Sequence, residues 1–288
     1  MPELPEAETV IKGLSKYLTN QRIKNIRVLN KKSLIGASRQ ASKSRVVGLR
    51  RRGKSIIIDL DNDHSLLIHL KMTGQLIFIP KGTSRSVRRI NLGHPTNDFV
   101  NSMPSNHTRI IFELTSGTLY FNDLRKFGWI KILPTKEIEK DSFVAKLGPE
   151  PLTKKFNPEY LTNILKRRPK SSIKAVLLNQ SVVAGIGNIY TDEALFGAKI
   201  LPYRKNNTLK PKEIKKLVSE IKKVLKLGIK HSGTSIQNYR DVKGAQGKMQ
   251  NYLKVYGQAN LPCKTCKQPI QKNKTAGRGT HFCLNCQK

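Results

Sequence analysis

The first eight residues, Met1-Pro-Glu-Leu-Pro-Glu-Ala-Glu8, carry the most chemically suggestive spacing in the chain. Glu3, Glu6 and Glu8 crowd the N-terminus, and no further carboxylate follows until Asp59. Met1 precedes a small residue, so its removal would leave Pro2 as a terminal secondary amine beside carboxylates. An α-amine has a reference pKa of about 7.7–8.0 against about 10.4 for lysine, so more of it is free base at neutral pH. Proline's greater basicity removes part of that advantage. A competing reading is that acidic groups complement the dipole of a first helical turn, worth up to about 1 kcal/mol each. That covers one or two of the glutamates and leaves unexplained why the densest acidic cluster flanks the amine.

A second group lies at the other end. Cys263-x2-Cys266, sixteen residues, then Cys283-x2-Cys286 can fold back to place four thiolates around one Zn2+. Two disulfides are the alternative. A four-thiolate shell has no vacant position, so the zinc would be structural, with His281 outside the shell. From Val242 to Lys288 there are nine Lys and Arg and no Asp or Glu, which makes this module a basic finger suited to phosphates. A third, weaker signal is Gly185-Ile-Gly-Asn188, a turn opening a helix whose N–H groups can face an anion. Lys170 and Lys174 on the preceding helix add to the case for a phosphate contact, although Gly-x-Gly also occurs in ordinary tight turns.

The body around these groups is strongly basic, with 54 Lys and Arg against 19 Asp and Glu and a net charge of +35 over 288 residues. Such an excess costs self-repulsion and reports a polyanionic partner. Nucleic acid leads and an anionic membrane surface follows; a basic ribosome-associated protein without catalysis also fits. The acidic start is wrong for a secretory or mitochondrial leader. Apolar runs such as Ile56-Ile57-Ile58 are of strand length, far short of a membrane span. The chain reads as soluble and intracellular.

Two domains are expected from the length. Residues 3–20 have helical spacing. Strands are predicted at 22–29, 44–49, 54–60, 64–70, 74–79, 107–114, 117–122 and 127–133, giving a sandwich or flattened barrel. Between them, 80–106 is polar, carries Arg85, Arg88 and Arg89, and reads as a long mobile loop. Helices are predicted at Pro158–Arg168, Ser171–Asn179, Ile189–Ala198 and Pro211–His231. The resulting boundaries are a β domain over 1–133, a linker over 134–156, a helical domain with a Gly- and Lys-containing loop over 157–250, and a finger over 251–288 that opens on a strand at Tyr252–Tyr256.

Seven motifs recur in one order: Pro2-Glu-Leu-Pro-Glu, Arg51-Arg-Gly-Lys54, His69-Leu-Lys-Met72-Thr-Gly, Asp123-Leu-Arg125-Lys-Phe127-Gly, Leu147-Gly-Pro-Glu-Pro-Leu152, Gly185-Ile-Gly-Asn188-Ile-Tyr and the four-cysteine finger. In this the chain resembles bacterial formamidopyrimidine-DNA glycosylases from residue 2 to its C-terminus. The related endonuclease VIII branch typically begins Pro-Glu-Gly-Pro-Glu, so Leu4 favours the purine-lesion branch. The resemblance implies an α+β protein of two domains: an N-terminal β-sandwich with a leading helix, then a helix–two-turn–helix domain ending in a four-Cys zinc finger, with DNA in the cleft between them. It implies a bifunctional glycosylase and abasic-site lyase that removes 8-oxoguanine and formamidopyrimidines from double-stranded DNA. Other expectations are one structural Zn2+, no membrane partner, a monomer, and a bacterial cytoplasmic location.

By the same resemblance, Pro2 would attack the sugar C1′, Glu3 would relay protons, and Glu6 would support the amine and the flipped nucleotide. Glu193 would be a further supporting carboxylate. Met72, Arg125 and Phe127 would fill the space left by the extruded base, although core packing is the plainer reading of the two apolar residues. Lys54, His69, His107, Asn188 and Arg278 would meet phosphates, with Lys54 and Arg278 also assisting elimination. Residues 234–250 would close over the lesion. The chain departs from the family pattern at Lys71, where glycine is commoner, at Arg109, which stands for a second histidine, and in its longer 80–106 segment. The alternatives are a pyrimidine-lesion enzyme of the endonuclease VIII kind and a non-catalytic damaged-DNA-binding protein.

Overall fold

The leading helix, Leu4–Leu18 (α1), joins the acidic start to the apolar core. Leu4, Ala7, Val10, Ile11, Leu14 and Leu18 recur at helical spacing and are buried. Pro5 sits in the first turn, where a missing N–H costs nothing. Glu3 is the N-cap, and it forms a capping box with Glu6: each carboxylate accepts the other residue's backbone N–H.

The structure, a computed structural model, describes residues 2–82, 90–93, 103–234 and 247–288. After α1 come strands β1 (Ile23–Val28), β2 (Leu34–Ile35), β3 (Val46–Arg52), β4 (Ser55–Leu60), β5 (His64–His69), β6 (Gly74–Pro80), β7 (Ile90–Gly93), β8 (Thr108–Leu114), β9 (Gly117–Asp123) and β10 (Trp129–Pro134). They form two five-stranded sheets, ordered β1-β8-β9-β6-β7 and β2-β10-β5-β4-β3. Alternate residues face inward: Ile56, Ile58, Leu66 and Ile68 from one sheet meet Leu76, Phe78, Phe112 and Phe121 from the other, with Val10, Leu14 and Leu18 of α1 in the same core. The sandwich and its leading helix are as expected. The predicted loop at 80–106 falls largely outside the described residues, and within it 90–93 are a strand.

The outer face of the second sheet explains a boundary that differs from expectation. Ile57 and Leu67 point away from the sandwich core yet are fully buried, because Ile138 and Val144 cover them. Lys131 reaches Asp141 at 2.5 Å on the same face. The chain therefore stays with the sandwich through residue 145, and a linker does not begin at 134. One compact unit comprises 1–145 together with 231–250, and the other comprises 146–230 together with 251–288. The described ends of that segment, 231–234 and 247–250, pack with the sandwich unit.

The second unit contains α2 (Pro158–Lys166), α3 (Ile173–Leu178), α4 (Asn188–Ala198) and α5 (Pro211–Lys230). Asn157 and Ser172 cap α2 and α3 through their side chains. The C-terminal module is a hairpin of β11 (Gln271–Thr275) and β12 (Arg278–Phe282). Its turn, Ala276-Gly277, has both residues at positive φ (53° and 72°), the backbone of a tight hairpin. The expected strand at Tyr252–Tyr256 is absent: a 3-10 turn occupies Met249–Tyr252, and the N–H groups that follow bond to a side chain instead of a ladder.

Candidate active site and nucleic-acid interface

At the N-terminus, Pro2 is buried ahead of α1, and Glu3 and Glu6 are only 4% and 3% exposed. Glu6 Oε2 accepts the Glu3 N–H at 2.9 Å. Its Oε1 accepts the Thr234 N–H at 2.8 Å and the Thr234 hydroxyl at 3.0 Å. Gly233 allows that approach: its φ is +76°, and a Cβ there would lie 2.7 Å from Glu6 Oε1. One carboxylate therefore joins the helix start to the root of the 234–250 segment, whose middle lies outside the described residues. Glu8 does something different, with Oε2 3.1 Å from Arg51 Nε in a partly exposed ion pair.

Lys54 follows Gly53 in the β3–β4 turn and is mostly buried. Its charge reaches His69, whose pKa is lowered to about 3 by burial first, then by Lys71 and Lys54. The His69 ring lies 5.8 Å from Trp129 and edge-on to Phe143 at 5.2 Å. Nδ1 accepts the Lys71 N–H at 3.0 Å, which leaves the proton on Nε2. The ring is therefore packed inward, and its Nε2–H is the group it keeps to offer a partner.

Met72, Arg125 and Phe127 stand on two adjoining turns. Met72 is 40% and Phe127 55% exposed, so core packing does not account for them. The Arg125 guanidinium lies over the Phe127 ring at 4.9 Å. Asp123, fully buried, holds both turns: Oδ1 accepts the Thr73 hydroxyl and the Arg125 N–H, and Oδ2 accepts the Gly128 N–H at 2.6 Å. Lys71 and Lys126 take left-handed backbone (φ +50° and +58°), which accounts for the glycine usual at the former position. His107 is half-buried nearby. Arg109 is buried and donates to the carbonyls of Asp123 (2.9 Å) and Asn106 (3.2 Å), so it braces this loop from inside rather than replacing a phosphate-contacting histidine.

In the second unit, Gly185 takes φ +91° and donates its N–H to Gln180, and Gly187 caps α4. Asn188 Nδ2 donates to the Gly279 carbonyl at 2.8 Å. Arg278 and Lys170 are exposed. Lys174 is not; it is fully buried, its Nζ 2.5 Å from Asp192 Oδ1 and 2.9 Å from Thr280 Oγ1. The expectation that Lys174 binds phosphate is overturned, because α3 turns this residue inward with Ile173 and Leu177 and a buried carboxylate satisfies its charge. Asp192 Oδ2 also accepts the His281 N–H at 2.9 Å. The strand that carries Arg278 is thus fastened at three consecutive residues, to α4 at Gly279 and His281 and to α3 at Thr280. Next to Asp192, Glu193 accepts the N–H groups of Lys254, Val255 and Tyr256 at 2.9–3.0 Å. Burial pushes its carboxyl pKa up, and those three bonds oppose the shift.

The sulfurs of Cys263, Cys266, Cys283 and Cys286 lie within 4.8 Å of one another, and all four cysteines are free. Zn–S bonds of about 2.3 Å in a tetrahedron require sulfurs about 3.8 Å apart. The pairs Cys266–Cys283 and Cys263–Cys286 stand at 3.4 and 3.9 Å. Burial, then the neighbouring thiols, push Cys286 up to about 12, so thiolates this close need a cation among them. The residues fit one structural zinc. Cys263→Ser is expected to lower bound zinc from one per chain to below a tenth and to weaken DNA binding, with the sandwich intact. Metal analysis and a far-UV spectrum check this; retained zinc and affinity would refute it.

Residues 1–130 match the family model described as the formamidopyrimidine-DNA glycosylase N-terminal domain, and 147–240 match its H2TH domain. Residues 260–288 match a zinc finger found in FPG and IleRS. The chain belongs to the formamidopyrimidine-DNA glycosylase family. It is 41% identical to the formamidopyrimidine-DNA glycosylase of Prochlorococcus marinus and 39% identical to that of Carboxydothermus hydrogenoformans, in both cases over the whole of each chain. Among solved structures, it is similar to a point mutant of Lactococcus lactis FPG bound to Fapy-dG-containing DNA (TM-score 0.86, 34% identity, complete coverage of both chains). It is similar, too, to the MutM (FPG) protein of Thermus thermophilus (TM-score 0.85, 33% identity, 99% and 98% of the two chains).

Within this glycosylase fold, the sandwich unit brings together Glu3 and Glu6, and separately the exposed triad of Met72, Arg125 and Phe127. Sequence reasoning missed Thr73, Asp123 and Thr234, which hold these residues, and Asp192, which holds Lys174 and the strand of Arg278. Asp123 and Asp192 had a legible signal, since an acid is rare in this chain and the first opens a family motif while the second follows one. Thr234 had none, because its contact to Glu6 spans 228 residues.

Proposed function

We propose that this formamidopyrimidine-DNA glycosylase family member excises oxidised purines through the Pro2 amine and then cleaves the strand. The observation that carries this reading is Glu6, which ties the backbone next to that amine to Thr234 in a buried site. In the proposed reaction the Pro2 nitrogen bonds to C1′, the N-glycosidic bond breaks, and the base leaves with its electron pair and takes a proton. Glu3 delivers and recovers protons at the sugar. The amine gives up its proton and the C1′–O4′ bond opens, O4′ taking a proton through Glu3, to leave a cationic iminium; this draws electrons as C2′–H and then C4′–H lose their protons and the 3′ and 5′ phosphates are expelled in turn. Arg125, Phe127 and Met72 would occupy the gap left by the extruded base, and Lys54, His107 and Arg278 would meet phosphates.

The substrate class follows the similar structures, which hold DNA containing Fapy-dG or an abasic site. Purine preference is supported by Leu4 in the N-terminal motif. An endonuclease VIII-like preference is the second reading, and one Lactococcus lactis complex holds DNA with an oxidised pyrimidine. On matched duplexes, cleavage opposite cytosine is expected to be at least ~10-fold faster for 8-oxoguanine than for thymine glycol, about the discrimination that a few pocket contacts supply. The reverse order would transfer the chain to the pyrimidine reading, and equal binding of undamaged DNA without cleavage would remove catalysis altogether. Bacterial relatives support action in the bacterial cytoplasm. Among the described residues, no helix is long and apolar enough to cross a membrane.

A further inference from the structure

Helix α5 is amphipathic in an unusual sense. Ile214, Leu217, Val218, Ile221, Val224 and Leu225 form its buried stripe. The remaining surface carries seven lysines, at 212, 215, 216, 222, 223, 226 and 230, and two glutamates. The glutamates offset the array only in part: Glu213 is engaged by Arg204 at 2.6 Å, and Glu220 meets a single lysine, Lys223, at 3.6 Å. Lys222 reaches the Thr153 carbonyl, at 3.2 Å, and so brings Lys154 and Lys155 beside the same surface. Lys212 and Lys216, Lys222 and Lys226, and Lys226 and Lys230 are like charges one helical turn apart, a spacing that destabilises a helix. Lys212 further opposes the dipole in the first turn. The helix bears this repulsion on a face that packing does not require to be basic.

We propose that the Lys222–Lys230 face of α5 is a second DNA-binding surface, which takes the phosphodiester backbone of a duplex segment other than the one holding the lesion. Lys222, Lys223, Lys226 and Lys230 line one groove with Ser219 and Leu227. From Lys222 to Lys230 the helix rises about 12 Å, the axial rise of three to four phosphates on one strand. The groove offers ammonium groups and one hydroxyl, and its lining includes no aromatic side chain to stack a base, so it suits a backbone and no particular sequence. None of these residues belongs to the proposed catalytic set, and the inference does not depend on Pro2 chemistry.

The test saturates the full zinc-loaded chain with a short duplex that carries a tetrahydrofuran abasic analogue, then titrates in a long, undamaged, fluorescent duplex. The native chain is expected to form a ternary complex whose affinity falls steeply with salt. Changing Lys222, Lys223, Lys226 and Lys230 together to Gln, which keeps helix propensity, should weaken the second event by about 10-fold or more and reduce its salt slope by roughly 3 to 4. Cleavage of a lesion in a short duplex should stay unchanged, which separates failure here from failure of the proposed activity. A control with Lys12, Lys24, Lys32 and Lys136 changed to Gln removes the same charge elsewhere and should retain the ternary complex. The proposal is overturned if no ternary complex forms, if both quadruple variants lose it equally, or if the α5 variant loses only binding to anionic phosphatidylserine vesicles.

Discussion

A chain extended by one residue ahead of Pro2 is expected to form no borohydride-trapped adduct with abasic or 8-oxoguanine duplex. The extension converts the terminal amine into an amide, whose lone pair is delocalised and cannot add to C1′. Strand cleavage should fall by roughly 10³-fold or more, in line with removal of a nucleophile from a concerted site. The fold should persist, because the capping box uses the side chains and N–H groups of Glu3 and Glu6 and nothing of Pro2. Glu3→Gln is the informative companion. Its amide oxygen can still cap α1 but cannot carry a proton, so trapping is retained while turnover drops by about 10²–10⁴-fold. An adduct that survives the extension would place the nucleophile elsewhere, with Lys54 the first residue to examine.

The second large effect is expected at Lys174, and it concerns stability. Lys174→Met removes one partner of an ion pair in which both side chains are fully buried, and Asp192 is left charged without its counter-ion. Breaking such a pair costs about 3–5 kcal/mol. For a unit of this size that is a fall in melting temperature of roughly 10 °C. Adding Asp192→Asn should recover part of the loss, since a neutral amide can still accept the His281 N–H. A surface phosphate contact behaves otherwise: its removal leaves melting untouched and lowers the salt slope of DNA binding by about 1. Calorimetry and a salt titration on one protein sample separate the two outcomes.

Much of the architecture was legible because its signals are local. The apolar spacing of α1, the alternating runs of the sandwich strands and the paired Cys-x2-Cys knuckles each declare themselves within a few residues. The hairpin of the finger did not. Gln271–Thr275 is polar throughout and has no alternation, since four of its five residues are exposed and its partner is the adjacent strand β12. Lys174 misled for a related reason: a lysine on a short helix reads as surface until a carboxylate eighteen residues later is seen to meet it. The three exposed residues Met72, Arg125 and Phe127 were found through motif resemblance, and apolar side chains alone would have assigned two of them to the core. Asp123, which fixes their turns, was within reach as a lone acid at a strand end.

The sandwich unit leaves its own chain at 145 and recovers it at 231. Its two pieces meet where Glu6 receives Thr234, with Gly233 cut down to fit. A chimaera spliced in chain order would therefore hand the 231–250 segment to one parent and its carboxylate to the other. A new segment after α5 keeps its root contact only with an N-terminal helix that still presents Glu6 to it. The protein is modular in space, and its sequence is not.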